Sequence, residues 1–377
     1  MALRLTSKSH GIHASATEAF SKRYFTDVRL LYNKYSLETF VKICQHPIFR
    51  PSIRRVQLSS ARYDEENFYD TVEDLMEGRD HHHSSFSEMI QRLSARCDAE
   101  RFYYYSRQAG PLIDQAFGLL AESDHSLVLA VATNEQKSLG CSKVWIASSS
   151  RMDWWVAHSL LALTILVQAA EDSGCKVRGL EVQAALAWDA AMYESLYDDW
   201  EEWEVVRSLT ELKLDLPCGP NLDADDNGYG AFHDLLSLTT NLKTLHIRSK
   251  ILDEDDDAFT LLAEKMSCLP LEELHLAFLY VGGDTITELM KNLGPILCRL
   301  KIFNCNIAGS WKKILLSIQQ HTLKLEELDI SGTRRSWLKD AAPHKGITNV
   351  RSGIAKLLQN REDMLRIQNA GADSGED

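Results

Sequence analysis

The pattern apolar-x-x-apolar-x-apolar recurs along the second half of the chain, and its spacing limits the fold more than any other feature. It reads Val177/Leu180/Val182, Leu209/Leu212/Leu214, Leu242/Leu245/Ile247, Leu271/Leu274/Leu276, Leu297/Leu300/Ile302 and Leu325/Leu328/Ile330. A single match carries little weight, because chance yields on the order of six in a chain of this size. Successive starts, however, lie 32, 33, 29, 26 and 28 residues apart. Helical patterns fill the intervals, Phe232/Leu235/Leu236 in one and Phe259/Leu261/Leu262/Met266 in another. A short strand followed by a helix at this period is the signature of a stacked α/β array.

In such an array the second and third aliphatics of each strand point inward and stack on the same positions of the neighbouring repeats. The helix returns the chain and covers that core. The period lies at or slightly above that of leucine-rich repeats. Leu297-Cys-Arg-Leu300-Lys-Ile302-Phe-Asn-Cys305-Asn-Ile307 is the fullest copy, with Cys305 where such repeats place Asn or Cys to satisfy turn backbone. Leu279 and Thr333 stand there in other copies, so the array is irregular. Ile53/Val56/Leu58 and Val144/Ile146 read as earlier strands.

The expected fold is therefore α/β, an irregular leucine-rich-repeat-type solenoid with a short helical N-terminal segment. Residues 1–50 are expected to be helical and 51–360 to form the repeat domain. That domain would carry a helical insertion over about 61–142, from Phe86/Met89/Ile90/Leu93 and Ile113/Ala116/Phe117/Leu120. The small, polar, acidic stretch 361–377 reads as a flexible tail. Strand alternation puts Lys213, Asp215, His246, Arg248, His275, Ala277, Lys301, Phe303 and Asp329 on the outward, concave face. Phe303, an outward aromatic beside Lys301, has the composition of a binding hot spot.

Charge and motifs bound the function. The 377 residues carry 54 acidic and 41 basic side chains, the wrong balance for a general nucleic-acid or anionic-membrane binder. Residues 1–60 alone hold ten Lys/Arg against three Asp/Glu, while Asp189–Glu204 packs seven acids around Trp200 and Trp203. Eight scattered cysteines without a CxxC read as reduced thiols, and MALRLTSKSH lacks an apolar leader core, so a cytoplasmic or nuclear location is expected. The apolar run Trp154–Ala170 is interrupted by His158, Ser159, Thr164 and Gln168, which favours a buried helix, N-capped by Asp153 and ended at Gly174, over a membrane span.

The N-terminal residues carry a family resemblance. Leu3-Arg-Leu-Thr-Ser-Lys8, Phe20-Ser-Lys-Arg-Tyr-Phe25-Thr, Ser36-Leu-Glu-Thr-Phe…Gln45-His-Pro47 and Ser52-Ile-Arg-Arg-Val56 resemble the F-box proteins of filamentous fungi. The phrase Ala169–Val182 is similar to the helix–turn–strand unit of their repeat domain. The resemblance implies a substrate-recognition subunit that brings a client protein to a cullin-type ubiquitin ligase through a Skp adaptor. An F-box opens with a Leu-Pro-x-Glu-Leu-type helix, and this chain begins at the equivalent of the box's middle. The N-terminus is thus either truncated or no longer used for the ligase. Leu3, Leu5, Ile12 and Phe20 are where adaptor contact is expected.

The remaining constellations point less far. Asp223, Asp225, Asn227 and Asp234, with Gly228, match several positions of a calcium loop, but Pro217 and Pro220 break the entering helix such a loop needs, so a solvated turn is the better reading. His81-His82-His83 and Tyr103-Tyr104-Tyr105 read as a loop tip and a mixed helix face. The chain has no GxSxG, P-loop, GxGxxG or HExxH motif, and Gly282-Gly283 reads as a strand exit. The expectation is a binding protein with no enzymatic activity and no cofactor. The alternative is a repeat scaffold without a ubiquitin role.

Overall fold

The computed structural model describes residues 10–59, 108–132, 152–183, 203–216, 234–249, 257–331, 344–345 and 350–359. The chain divides into two compact units, Met1–Leu186 and Ala187–Asp377. Both are mixed α/β, built on parallel strands that follow one another in chain order.

The first unit runs α1 (His10–Tyr24), β1 (Asp27–Leu31), α2 (Lys34–Gln45), a 3-10 turn (Arg50–Ser52), β2 (Arg55–Ser59), α3 (Ala109–Ala121), β3 (Leu127–Ala132), α4 (Met152–Ser173) and β4 (Val177–Gln183). Parallel pairing aligns Val28, Val56, Leu129 and Leu180 in one row and Leu30, Leu58, Val131 and Val182 in the next. All eight are buried. Asn33 caps α2, its side-chain oxygen accepting from the Ser36 amide at 2.9 Å, while the Ser36 hydroxyl accepts from the Leu31 amide at 3.0 Å.

Two expectations are corrected here. Residues 1–50 are not wholly helical, because Asp27–Leu31 is a strand that pairs in parallel with β2. The stretch 61–142 is not a wholly helical insertion, because β3 lies between β2 and β4 and α3 packs on α2 and α4. Each strand supplies alternate aliphatics that complete the buried rows, and this outweighs the weak local signal. The Trp154–Ala170 run lies within α4, which starts at Met152, so Asp153 stands in its first turn rather than at the cap. Gly174 ends the helix in the left-handed conformation, φ 70°. Among the described residues no helix is long and apolar enough to cross a membrane. Val144 and Ile146 lie outside the described residues.

The second unit holds α5 (Glu204–Arg207), β5 (Glu211–Leu216), β6 (Thr244–Ser249), α6 (Asp257–Met266), β7 (Glu273–Ala277), β8 (Tyr280–Gly282), α7 (Gly283–Leu293), β9 (Arg299–Phe303), β10 (Asn306–Ala308), α8 (Trp311–His321), β11 (Glu327–Ser331) and β12 (His344–Lys345). Residues 234–238 and 350–359 are also helical. Strands β5, β6, β7, β9 and β11 pair in parallel in that order, and β12 joins β11 antiparallel. Each expected motif is a strand here, and Leu212/Leu245/Leu274/Leu300/Leu328 and Leu214/Ile247/Leu276/Ile302/Ile330 form two buried rows.

The period is also written in the backbone. The carbonyls of Thr210, Lys243, Glu272 and Cys298 each accept two consecutive amides from the next strand entry, those of 243/244, 272/273, 298/299 and 326/327. Helix α6 buries Phe259, Leu262, Ala263 and Met266, whereas Leu261, expected on the same face, is 54% exposed. Helices α7 and α8 pack side by side. Gly294 makes their close approach feasible, since a Cβ there would lie 2.6 Å from the His321 carbonyl oxygen.

Candidate functional site

Alternation along β5, β6, β7, β9 and β11 leaves three residues per strand facing away from the aliphatic rows, and the parallel register lines them up across the unit. The first row is Glu211, Thr244, Glu273, Arg299 and Glu327. The second is Lys213, His246, His275, Lys301 and Asp329, and the third is Asp215, Arg248, Ala277, Phe303 and Ser331. The nine residues expected on the outward face thus lie on aligned neighbouring strands. Arg248 and Phe303 are exposed and the other six half-buried, whereas Ala277 is buried.

Glu273 is the electrostatic hub of the first two rows. Its Oε2 accepts from Arg299 Nε at 2.8 Å and lies 2.7 Å from Arg299 Nη2, while Oε1 lies 3.3 Å from His246 Nε2. A carboxylate only accepts, so the neutral ring carries its proton on Nε2. Burial pushes the Glu273 carboxyl up, but Arg299 and then His246 more than offset this and hold it below the usual glutamate range. On the next strand Lys301 Nζ sits 3.5 Å from Glu327 Oε1.

The two histidines meet edge to face, with ring centroids 5.1 Å apart. Burial is the main cause that lowers both below the ordinary histidine value. Lys213 and Lys301 push His246 further down against the opposing Glu273. His246 and Lys301 do the same to His275 against Glu273 and Asp329. Both rings are thereby biased toward the neutral form, while Lys213 and Lys301 flank them in the same row. Asp329 ends this row with a buried Oδ1 that has no hydrogen-bond partner.

The third row leads into an aromatic corner. Phe278 follows β7 in the left-handed conformation, φ 58°, a region that bulky side chains seldom occupy. Its ring lies 5.3 Å from that of Phe303 at 75°, and Arg248 Cζ sits 4.9 Å from its centroid. The Phe278 amide donates to the Phe303 carbonyl at 2.9 Å, tying the two turns together.

Sequence reasoning missed Glu273, Arg299 and Phe278. The first two share the outward parity of His275 and Lys301, and opposite charges at equivalent repeat positions were the available signal. Phe278 carries no such signal, since its role depends on its backbone angle.

The other expected sites do not join this face. Leu3, Leu5, Asp223, Asp225 and Asn227 lie outside the described residues, as do His81–His83 and Tyr103–Tyr105. Ile12 lies on α1. Phe20 is half-buried in a ring cluster, 4.7 Å from Tyr24, 5.8 Å from Phe25 and 6.3 Å from Phe49. Asp234 is the first of the described helical residues 234–238.

The outward residues of the first unit are more deeply buried, although Asp27, Arg29 and Arg55 are half-buried. Every residue of β3 is buried, as are Gln57, Ser59 and Glu181. There Arg55 Nη1 donates to Asp27 Oδ1 at 2.7 Å and to Gln57 Oε1 at 2.8 Å, and its Nε donates to Glu181 Oε2 at 2.9 Å. Among the described residues no group of three His, Cys, Asp or Glu side chains is arranged to hold a metal ion. No family model matches the chain, and no curated protein matches it either.

Proposed function

We propose that the protein is a protein-binding module of irregular leucine-rich-repeat type, whose contact surface is the outward face of β5, β6, β7, β9 and β11. One observation carries this reading: five parallel strands in chain order present three aligned rows of polar, histidine and aromatic side chains, half-buried to exposed. Such a surface matches the enrichment of aromatic residues and Arg in protein interfaces. Chain-order parallel stacking with a helix on each return supports the solenoid description.

Within this reading, the resemblance of residues 1–56 to fungal F-box proteins supports a substrate-recognition subunit of a cullin-type ubiquitin ligase. A second reading, a binding scaffold with no ligase role, is favoured by β1. Asp27–Leu31 is a strand of the first unit and not part of a box helix, and Phe20 on α1 is engaged with Phe25 and Phe49.

A pulldown of the purified chain against recombinant Skp adaptor separates the two. Binding that is lost in Ile12→Asp supports the ligase subunit, and absence of binding supports the scaffold. Proximity labelling in cells tests the shared claim. The binding-module reading predicts partners enriched by the native chain and lost in a Lys301→Glu/Phe303→Asp variant, and identical profiles for both would overturn it.

A further inference from the structure

The outward face of the second unit has four Lys or Arg side chains, and their pairing is unequal. Arg299 is bound to Glu273 and Lys301 to Glu327, and Lys213 also has a partner within the chain. Arg248 is exposed and has no ion-pair partner among the described residues, and its guanidinium lies over the Phe278 ring. A guanidinium held over an aromatic ring can still direct N–H donors at a planar bidentate acceptor. Phe303, 39% exposed, meets the same ring edge to face. A free cation and an uncovered apolar surface thus lie side by side.

The backbone supplies an independent observation. Phe278 holds a positive φ at a position where the next repeat places Asn304. Such strain in a bulky residue concentrates at binding and switch sites, where the surrounding structure maintains it. Here it fixes the ring between Arg248 and Phe303.

Resting on the protein-binding reading above, we propose that Arg248, Phe278 and Phe303 form a platform for an extended acidic segment of the partner. In that segment an apolar side chain that packs on Phe303 lies next to an Asp or Glu whose carboxylate is received by Arg248. Asp215, aligned with Arg248 on β5, decides between anions: its charge opposes a dianionic phosphate more than a singly charged carboxylate.

The test is a synthetic array of twelve-residue peptides that combine Leu, Phe or Trp with a neighbouring Asp, printed with matched Asn and phosphoserine versions. The full chain is the probe. The Asp peptides should bind, with Asn weakening them by about tenfold, the loss of one charge-assisted pair. Arg248→Gln should abolish the distinction between Asp and Asn peptides, and Arg248→Lys should retain part of it. Phe278→Asn tests the platform with a residue that tolerates the left-handed conformation, and it should lose binding while its unfolding midpoint stays near that of the native chain. Equal binding of Asp and Asn peptides overturns the proposal, as does preference for phosphoserine. Absence of peptide binding also overturns it, while cellular partners that depend on Lys301 and Phe303 would leave the protein-binding reading standing.

Discussion

Phe278 and Asn304 share one backbone conformation, φ 58° and 54°, each one residue beyond a repeat strand. The following turns match as well, with Leu279 and Cys305 buried beneath them and β8 paired in parallel with β10. Asn tolerates this geometry because its short amide bonds locally, whereas a β-branched residue does not. Asn304→Val should therefore cost about 1–2 kcal/mol, and Asn304→Gly should lie within a few tenths of zero. Urea midpoints of the two variants read this directly, and equal values would remove the backbone explanation.

The ion network of the first unit gives a second expectation. Side chains of Arg55 and Glu181 are 17% and 9% exposed, so their charges are largely withdrawn from water. Arg55→Met withdraws this guanidinium from the buried Glu181 and should destabilise by about 3 kcal/mol. Arg55→Met/Glu181→Met should recover much of that loss. A thermal scan showing the double variant no better than the single one would mean that Arg55 acts through Asp27 instead.

Acid should weaken the second unit before its carboxylates titrate. His246 and His275 both ionise below 6.5, chiefly because they are buried, with Lys213 and Lys301 adding to the effect and Glu273 and Asp329 opposing it. The unfolded chain then binds protons first as pH falls. Stability is complete above about pH 6.5, the ordinary histidine value, and declines from there down to the folded-state values. The His246→Gln/His275→Gln variant should show a shallower loss of urea midpoint between pH 7 and 5.5. His125, lowered mainly by burial and then by Arg54, shares the direction, so His125→Gln is the control. An unaltered slope in the double variant would assign the acid sensitivity elsewhere.

Thiol chemistry should separate two cysteines of the second unit. Cys305 is buried, with Sγ 3.5 Å from the Leu276 carbonyl, and burial pushes its thiol up to about 11. Cys268 is exposed. A maleimide at pH 7.5 should modify Cys268 within minutes and Cys305 only on unfolding, since the thiolate is the reactive form. Peptide mapping of the labelled chain that finds Cys305 modified first would contradict this.

The strands of the second unit were legible because three aliphatics per repeat recur at fixed offsets, and burial enforces that offset in every copy. Two strands of the first unit escaped for identifiable reasons. Phe25/Val28/Leu30 is the same pattern with an aromatic in its first slot, 28 residues before Ile53, and it was hidden inside a segment read as helical. In β3 the polar Ser126 fills that slot, and Leu127–Ala132, an unbroken apolar run, fits a strand or a helix equally. On the outward face, parity identified which residues align. Pairing within the face was not legible, because it depends on which charges come within reach of one another: Glu273 takes Arg299, and Arg248 is left to Phe278.

The antiparallel strand β12 decides how far the ladder can grow. Each parallel strand offers its neighbour an edge on which one more copy can dock, so a stacked sheet has no intrinsic last member. β12 touches β11 at two positions only, Glu327 with Lys345 and Leu328 with His344, and runs the opposite way. Among the described residues, that end of the sheet is a two-residue strand of reversed polarity instead of a full five-residue template. Among the described residues the reversal thus ends the parallel run, and an edge of this kind opposes end-to-end addition of further strands.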